Sequence, residues 1–204
     1  MKASKVVIID YGMGNIKSII SALRYLKVDK IIVSNESSVI NSADKLILPG
    51  VGSFSEAIQN IKKKEINKIL EECIINDKKP VLGICLGMQL LGMSSTEDGV
   101  NEGLKIINGW VDKFNNSTNK IPHMGFNQVK SASNSKLYCG LEDCSDFYFV
   151  HSFKMTSDAD INQSMCSYGG EFIASYEQDN IAGVQFHPEL SQRNGLKLLN
   201  NFLC

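Results

Sequence analysis

Four short apolar runs in the first 84 residues constrain the fold more than any other feature of the chain. They are KVVIID (5–10), KIIVS (30–34), DKLILPG (44–50) and PVLGI (80–84). Runs of this length without polar alternation predict strands buried on both faces. After the first run, NIKSIISALRYLK sets Ile16, Ile19, Ile20, Leu23 and Leu26 on one helical face. The stretch from Ser53 to Asn76 predicts mostly helix, with Ser53 or Ser55 as its cap. Buried strands alternating with amphipathic helices predict a mainly parallel central sheet with helices on both faces.

After residue 100 the texture changes. GLKIINGWVDKF, DFYFVHSFKM, EFIASYEQ and NIAGVQFH predict additional strands joined by Gly- and Asn-rich turns, and SQRNGLKLLNNFL predicts a closing helix. No repeat, linker or low-complexity tract interrupts residues 1–204, so one α/β domain is expected. A net charge of -1 gives no electrostatic reason to expect nucleic acid or an anionic membrane. No apolar run approaches the roughly 18 residues of a membrane span, and MKASKVVIID does not have the form of a secretory signal. The six cysteines contain no CxxC pair and are expected as reduced thiols in a cytoplasmic protein.

One of those cysteines stands apart. GICLG (83–87) has the G-x-nucleophile-x-G pattern, in which a sharp strand-to-helix turn exposes the central side chain. The following helix directs its N-terminus at Cys85, favouring the thiolate, and the N–H of Leu86 is placed to hold an oxyanion. A buried structural cysteine beside tightly packed glycines is the plain alternative.

VQFHPEL (184–190) bears on that choice. A cysteine nucleophile needs a base, and the base needs an orienting acceptor. Of His123, His151 and His187, only His187 has a carboxylate two residues on, Glu189, with Pro188 stiffening the turn between them. Alone, His187 reads equally as a surface histidine in a turn. With GICLG in the same chain, Cys85, His187 and Glu189 form a candidate triad.

The other motifs are read more plainly. PGVG (49–52) is a strand-to-helix turn whose glycines let backbone approach a ligand closely. DYGMGN lacks the third glycine of a dinucleotide fingerprint, since Lys17 stands there, and no acidic residue ends the second strand. His123 and His151 have no second ligand at metal spacing, so no metal is expected. His123 is assigned a structural or interface place, His151 a place beside the pocket, and Trp110 a packing one.

Together GICLGMQLL, FHPE and the upstream LILPGVGSF resemble the class I, triad-type glutamine amidotransferases. DYGMGN, LPGVGSF, IPHMGFN and YFVHSF bring the resemblance closer to the glutaminase subunits of imidazole glycerol phosphate synthase, from about residue 6 to residue 203. The resemblance implies a flavodoxin-like glutaminase fold and a thioester formed by Cys85 on the side-chain amide of glutamine. His187 would protonate departing ammonia and activate water, oriented by Glu189. Gly50, Val51 and Gly52 would form the oxyanion strand beside Leu86. Gln89, Ser152 and Phe153 would bind the substrate. No cofactor is implied.

The same resemblance implies a partner, a (β/α)8-barrel cyclase subunit that receives ammonia and forms imidazole glycerol phosphate and AICAR in histidine biosynthesis. Tyr11, Gly14, Asn15, Phe126 and Leu190 would face it. Two positions depart from the family pattern: Leu190 follows HPE where a basic residue is common, and Phe126 replaces the usual Trp of PHMGWN. They leave open a paralogous glutaminase that supplies ammonia for amidino groups on surface sugars. A non-catalytic redox-sensing or binding protein of the same fold is the reading from another class.

Overall fold

The four apolar runs become strands in a computed structural model, which describes residues 5–114 and 120–204. They are β1 (Lys5–Ile9), β2 (Lys30–Ser34), β3 (Lys45–Leu48) and β4 (Val81–Ile84). Between them lie α1 (Ile16–Tyr25), α2 (Ser37–Asn41), α3 (Phe54–Lys63) and α4 (Ile66–Glu71). The short α2 was not expected. The stretch expected as mostly helix is so, and it is divided at Glu65, whose φ of 55° is left-handed and ends α3. The break re-aims the chain so that Phe54, Ala57, Ile58 and Ile61 of α3 and Ile66, Ile69 and Leu70 of α4 all reach the core. Burying a side chain such as Phe54 or Ile61 is worth roughly 1.5–3 kcal/mol, more than one non-glycine residue in a left-handed conformation costs.

After β4 come α5 (Leu86–Leu90), β5 (Ser94–Ser95), β6 (Asn101–Glu102), β7 (Trp110–Lys113) and β8 (His123–Lys130). The chain closes with β9 (Cys144–His151), β10 (Phe153–Thr156), β11 (Ser164–Ser167), β12 (Glu171–Gln178), β13 (Ile181–Val184) and α6 (Gln192–Leu203). One sheet has nine strands in the order β2-β1-β3-β4-β13-β12-β11-β8-β9. Its first five strands are parallel, and β12, β11, β8 and β9 continue it antiparallel. The second sheet has the order β10-β7-β5-β6.

Alternation along β1 sets the layers. Val7 and Ile9 pack with α3, α4 and α5 on one face, while Val6 and Ile8 pack with α1 and α6 on the other. Helices therefore cover both faces of the parallel half, as expected. The half built from strands after residue 100 holds a second lesson. DFYFVHSFKM divides at Ser152, where the chain leaves the nine-stranded sheet as β9 and enters the second sheet as β10. GLKIINGWVDKF is a strand only at Trp110–Lys113. Its earlier residues serve the end of α5 instead: Leu104 N–H donates to the Leu90 carbonyl at 2.8 Å, and Ile106 and Ile107 to that of Leu91 at 2.9 Å. These bonds satisfy helix-end carbonyls that have no partner within the helix. Trp110, read as a packing residue, begins β7 and is 41% exposed.

Candidate active site

The site forms where β4 and β13, parallel neighbours, reach their C-terminal ends. Cys85 follows β4 directly with φ 54° and ψ -110°, a sparsely populated backbone state for a residue with a side chain. Its N–H is tied to the Val184 carbonyl of β13 at 2.7 Å. The strain sets α5 close against the neighbouring strand: a Cβ built on Gly87 would lie 1.8 Å from the Leu48 carbonyl oxygen. The elbow pattern is thus realised, with a helix leading away from the cysteine and glycine required beside it.

His187 enters from the turn after β13. Its N–H donates to the Tyr148 carbonyl at 2.8 Å, and its own carbonyl accepts from Ser191 Oγ at 2.6 Å. The ring is buried, and its Nδ1 lies 2.9 Å from Glu189 Oε1, itself buried. Because a carboxylate only accepts, Nδ1 carries a proton. Burial alone lowers the imidazole pKa, but Cys85 and Glu189 outweigh it and raise it to about 10. Nε2 makes no hydrogen bond here; catalytic bonds of this kind commonly tighten only once substrate is bound.

Cys85 opens onto a cavity of about 410 Å³ lined by Val51, Gly52, Leu86, Gln89, Glu97, Pro122, Val150, His151, Ser152 and Phe153. The structure thus gathers Val51, Gly52, Leu86, Gln89, Ser152 and Phe153 around the cysteine, from separate segments of the chain. Gly50 lies beneath this wall, where a Cβ would come within 2.6 Å of Tyr11 Oη and 2.7 Å of Leu86 Cβ. Gly52 has a φ of 102°, a conformation that favours glycine.

Tyr11 requires a correction. Expected at a partner surface, it is fully buried, and its hydroxyl donates to the Pro49 carbonyl at 2.6 Å. Desolvation, then the nearby Cys85 charge, raises its pKa far above the ordinary value, so the hydroxyl stays a donor. It props the segment after β3 that carries Gly50, Val51 and Gly52. Gly14 and Asn15 are half-buried in the same turn, while Phe126 and Leu190 are 49% and 41% exposed.

Two residues at the site, Gln185 and Glu97, had no assigned function in the motif reading, and a third, His151, had been given a place beside the pocket. Gln185 reaches both Cys85 and Gln89. It stands two residues before His187, just past the end of β13, and that nearness in sequence is the signal that could have found it. Glu97 puts a carboxylate in the cavity wall and accepts from the Phe54 N–H at 2.8 Å. Burial raises the pKa of its carboxyl group. His151 donates from Nδ1 to the Phe153 carbonyl at 2.8 Å, and its Nε2 meets His123 Nδ1 at 2.9 Å. No group of three or more His, Cys, Asp or Glu that could hold a metal occurs among the described residues.

A strained cysteine at a cavity wall, backed by a carboxylate-linked histidine, can attack an electrophilic carbon, and the histidine can move the proton. The family model described as glutamine amidotransferase class-I matches residues 7–204. An imidazole glycerol phosphate synthase subunit HisH 1 of Campylobacter jejuni is 45% identical over 97% of this chain and 98% of its own. A HisH 2 subunit of Methanococcus maripaludis is 46% identical over 97% and 98%, and the HisH subunit of Aquifex aeolicus 42% over 97% and 95%. Among solved structures, PurLQS from Thermotoga maritima superposes with a TM-score of 0.72 at 19% identity, covering 100% of this chain and 98% of the other. A glutamine amidotransferase from Thermotoga maritima gives 0.65 at 18% identity, covering 93% and 78%; at such identities these structures speak for the fold alone. Among the described residues no helix is long and apolar enough to cross a membrane. Motifs, sheet order and full-length likeness agree, and the chain belongs to the class-I glutamine amidotransferase family, alongside the HisH subunits.

Proposed function

We propose that this chain is the glutaminase subunit of an imidazole glycerol phosphate synthase, acting in histidine biosynthesis as one domain over residues 1–204. It hydrolyses L-glutamine to glutamate and ammonia. Cys85 Sγ attacks the side-chain amide carbon, and the resulting oxyanion is held by backbone N–H groups at Leu86 and the Val51–Gly52 peptide. His187 gives its proton to the amide nitrogen as the C–N bond breaks, releasing ammonia and leaving a glutamyl thioester. It then takes a proton from water, whose oxygen attacks the thioester and breaks the C–S bond. Glu189 holds the ring throughout. Glu97 receives the substrate's ammonium group, and Gln89, Ser152 and Phe153 align the amino-acid end.

The observation that carries this reading is the strained Cys85 on the cavity wall, close enough to the buried His187–Glu189 pair to raise the pKa of the imidazole. The ammonia passes to a (β/α)8-barrel cyclase subunit in a cytoplasmic heterodimer. Gly14, Asn15, Phe126 and Leu190 face that partner; in support, α1 touches the turn that holds Leu190, and Phe126 shares a groove with Ser191–Asn194. The amidino-sugar alternative rests on Leu190 and Phe126 only, and the relatives' names favour imidazole glycerol phosphate synthase. A redox sensor would need neither Glu189 nor Gln89.

Glutamate release by the wild type and by Cys85→Ala, each with its cyclase, tests the proposal. Hydrolysis should disappear while the fold and partner binding persist, because the change removes little packing. Normal turnover by Cys85→Ala would end the triad reading.

A further inference from the structure

Gln185 is fully buried, and its carboxamide spans the nucleophile and a pocket residue. Nε2 lies 3.7 Å from Cys85 Sγ, while Oε1 accepts from Gln89 Nε2 at 2.8 Å. Gln89 Nε2 also donates to the Phe153 carbonyl at 3.0 Å. That carbonyl can only accept, so it settles the direction of the whole chain of bonds. Gln89 must turn its N–H₂ towards Phe153, and the second proton of that group requires an oxygen from Gln185. The remaining end of Gln185, an N–H₂, then faces the sulfur. Reversing either amide would set acceptor against acceptor or donor against donor in a buried space.

The sulfur's other bond is of the opposite kind. As a thiol, Cys85 donates to the Val150 carbonyl at 3.9 Å, a bond that the thiolate cannot make. The Gln185 N–H is the bond the thiolate gains. We propose that Gln185 is a catalytic residue of the glutaminase reaction inferred above: its amide N–H holds the Cys85 thiolate, and the same side chain turns the Gln89 oxygen into the pocket. Both N–H bonds of Gln89 are spent inward, so its Oε1 is left to accept from a donor of the ligand. The titratable groups around the sulfur are His187 from the turn after β13 and Tyr11 from the turn after β1. His151 of β9 and Glu97 line the same cavity. Tyr11 spends its hydroxyl on the Pro49 carbonyl and His151 its Nδ1–H on the Phe153 carbonyl, so among these groups His187 is the other candidate donor to the sulfur.

The test is the pH profile of Cys85 alkylation by iodoacetamide in the wild type, Gln185→Leu, Gln185→Met and Gln185→Glu. Peptide mapping separates Cys85 from the exposed Cys139, Cys144 and Cys204, and far-UV circular dichroism checks folding. Losing a hydrogen bond to a charged group should move the midpoint up by about one pH unit in the Leu and Met variants. The Glu variant, with a carboxylate beside the sulfur, should move it further. KM for glutamine should also rise, because Gln89 is released. Met fills the same volume with a flexible apolar chain, so one apolar variant remains readable if the other is unstable. A folded Leu or Met variant with the wild-type alkylation profile would overturn the proposal. Alkylation needs no turnover of glutamine, so this result stands apart from the Cys85→Ala test of the glutaminase reading.

Discussion

Two histidine centres flank the same pocket and differ in charge although they share the same burial. His187 is 2% exposed, and so is His123; His151 is 7% exposed. His187 has a carboxylate and the nucleophile as neighbours, which outweigh burial and raise its pKa to about 10. His123 stacks between Phe149 and Tyr168 at centroid distances of 4.7 and 3.9 Å, and desolvation lowers it to about 4. His151, bonded to His123 and to a carbonyl, is lowered by desolvation to about 3. Burial by itself does not decide the state of an imidazole; what faces it does. One centre is built for proton transfer. The other is a neutral relay, with His151 Nδ1 donating to Phe153, His123 Nδ1 to His151, and Asn127 Nδ2 at 3.4 Å from His123 Nε2.

The contrast is broken most sharply by Glu189→Gln. Removing the carboxylate charge leaves His187 with a neutral partner, so its pKa should fall towards the ordinary range. Steady-state kinetics with the cyclase present should show kcat reduced roughly 10³–10⁴-fold, the scale seen when a triad's orienting carboxylate becomes an amide. A loss under tenfold would mean that the two centres are not chemically distinct.

Stability against pH separates them next. His123 takes up its proton near 6.5 when unfolded but only at about 4 when folded. Its contribution is therefore complete above pH 6.5 and is lost as pH falls towards 4. His187 runs the other way: its folded value is raised, so its contribution is complete below pH 6.5 and is lost as pH rises towards 10. Urea titrations at several pH values should show both limbs. His123→Phe should make the acid limb shallower, leaving the part that His151 contributes, and spare the alkaline one.

His151→Phe sharpens the kinetic side. The phenyl ring fills the space but cannot hold the Phe153 carbonyl, so the substrate wall loosens. KM for glutamine should rise about tenfold with kcat within a few-fold, the cost of one buried hydrogen bond. A kcat loss as large as that of Glu189→Gln would make the relay part of the chemistry. The smallest effect belongs to Leu190→Lys, a new charge one residue from Glu189 but exposed and screened. Basal turnover of the lone chain should change less than about twofold. Its affinity for its own proposed cyclase should not improve, because that surface has been matched to an apolar side chain. Tighter binding there would make Leu190 neutral drift.

The parallel half of the fold was legible in the chain, because buried strands and amphipathic helices announce themselves over windows of about five to thirteen residues. The strand-to-helix elbow at Cys85 and the His187–Glu189 contact were legible for a similar reason: the elbow is a short contiguous motif, and His187 and Glu189 share one turn. Details beyond that reach were not legible. The mostly helical stretch from Ser53 to Asn76 divides at Glu65 to bring two apolar stripes onto one core. GLKIINGWVDKF surrenders much of its strand to the carbonyls of α5, and the turn residue Tyr11 goes inside to support the segment of Gly50.

What periodicity and spacing gave was the order of most elements, a candidate nucleophile and base, and a turn without the dinucleotide fingerprint. Convergence was settled by folding alone. Gln185 and Cys85 are separated by 100 residues, Gln89 and Phe153 by 64, and Phe54 and Glu97 by 43. A local pattern records which face of an element is apolar. It holds no information on which distant carbonyl a side-chain amide will meet, because that depends on sheet order, register and the packing of helices against strands.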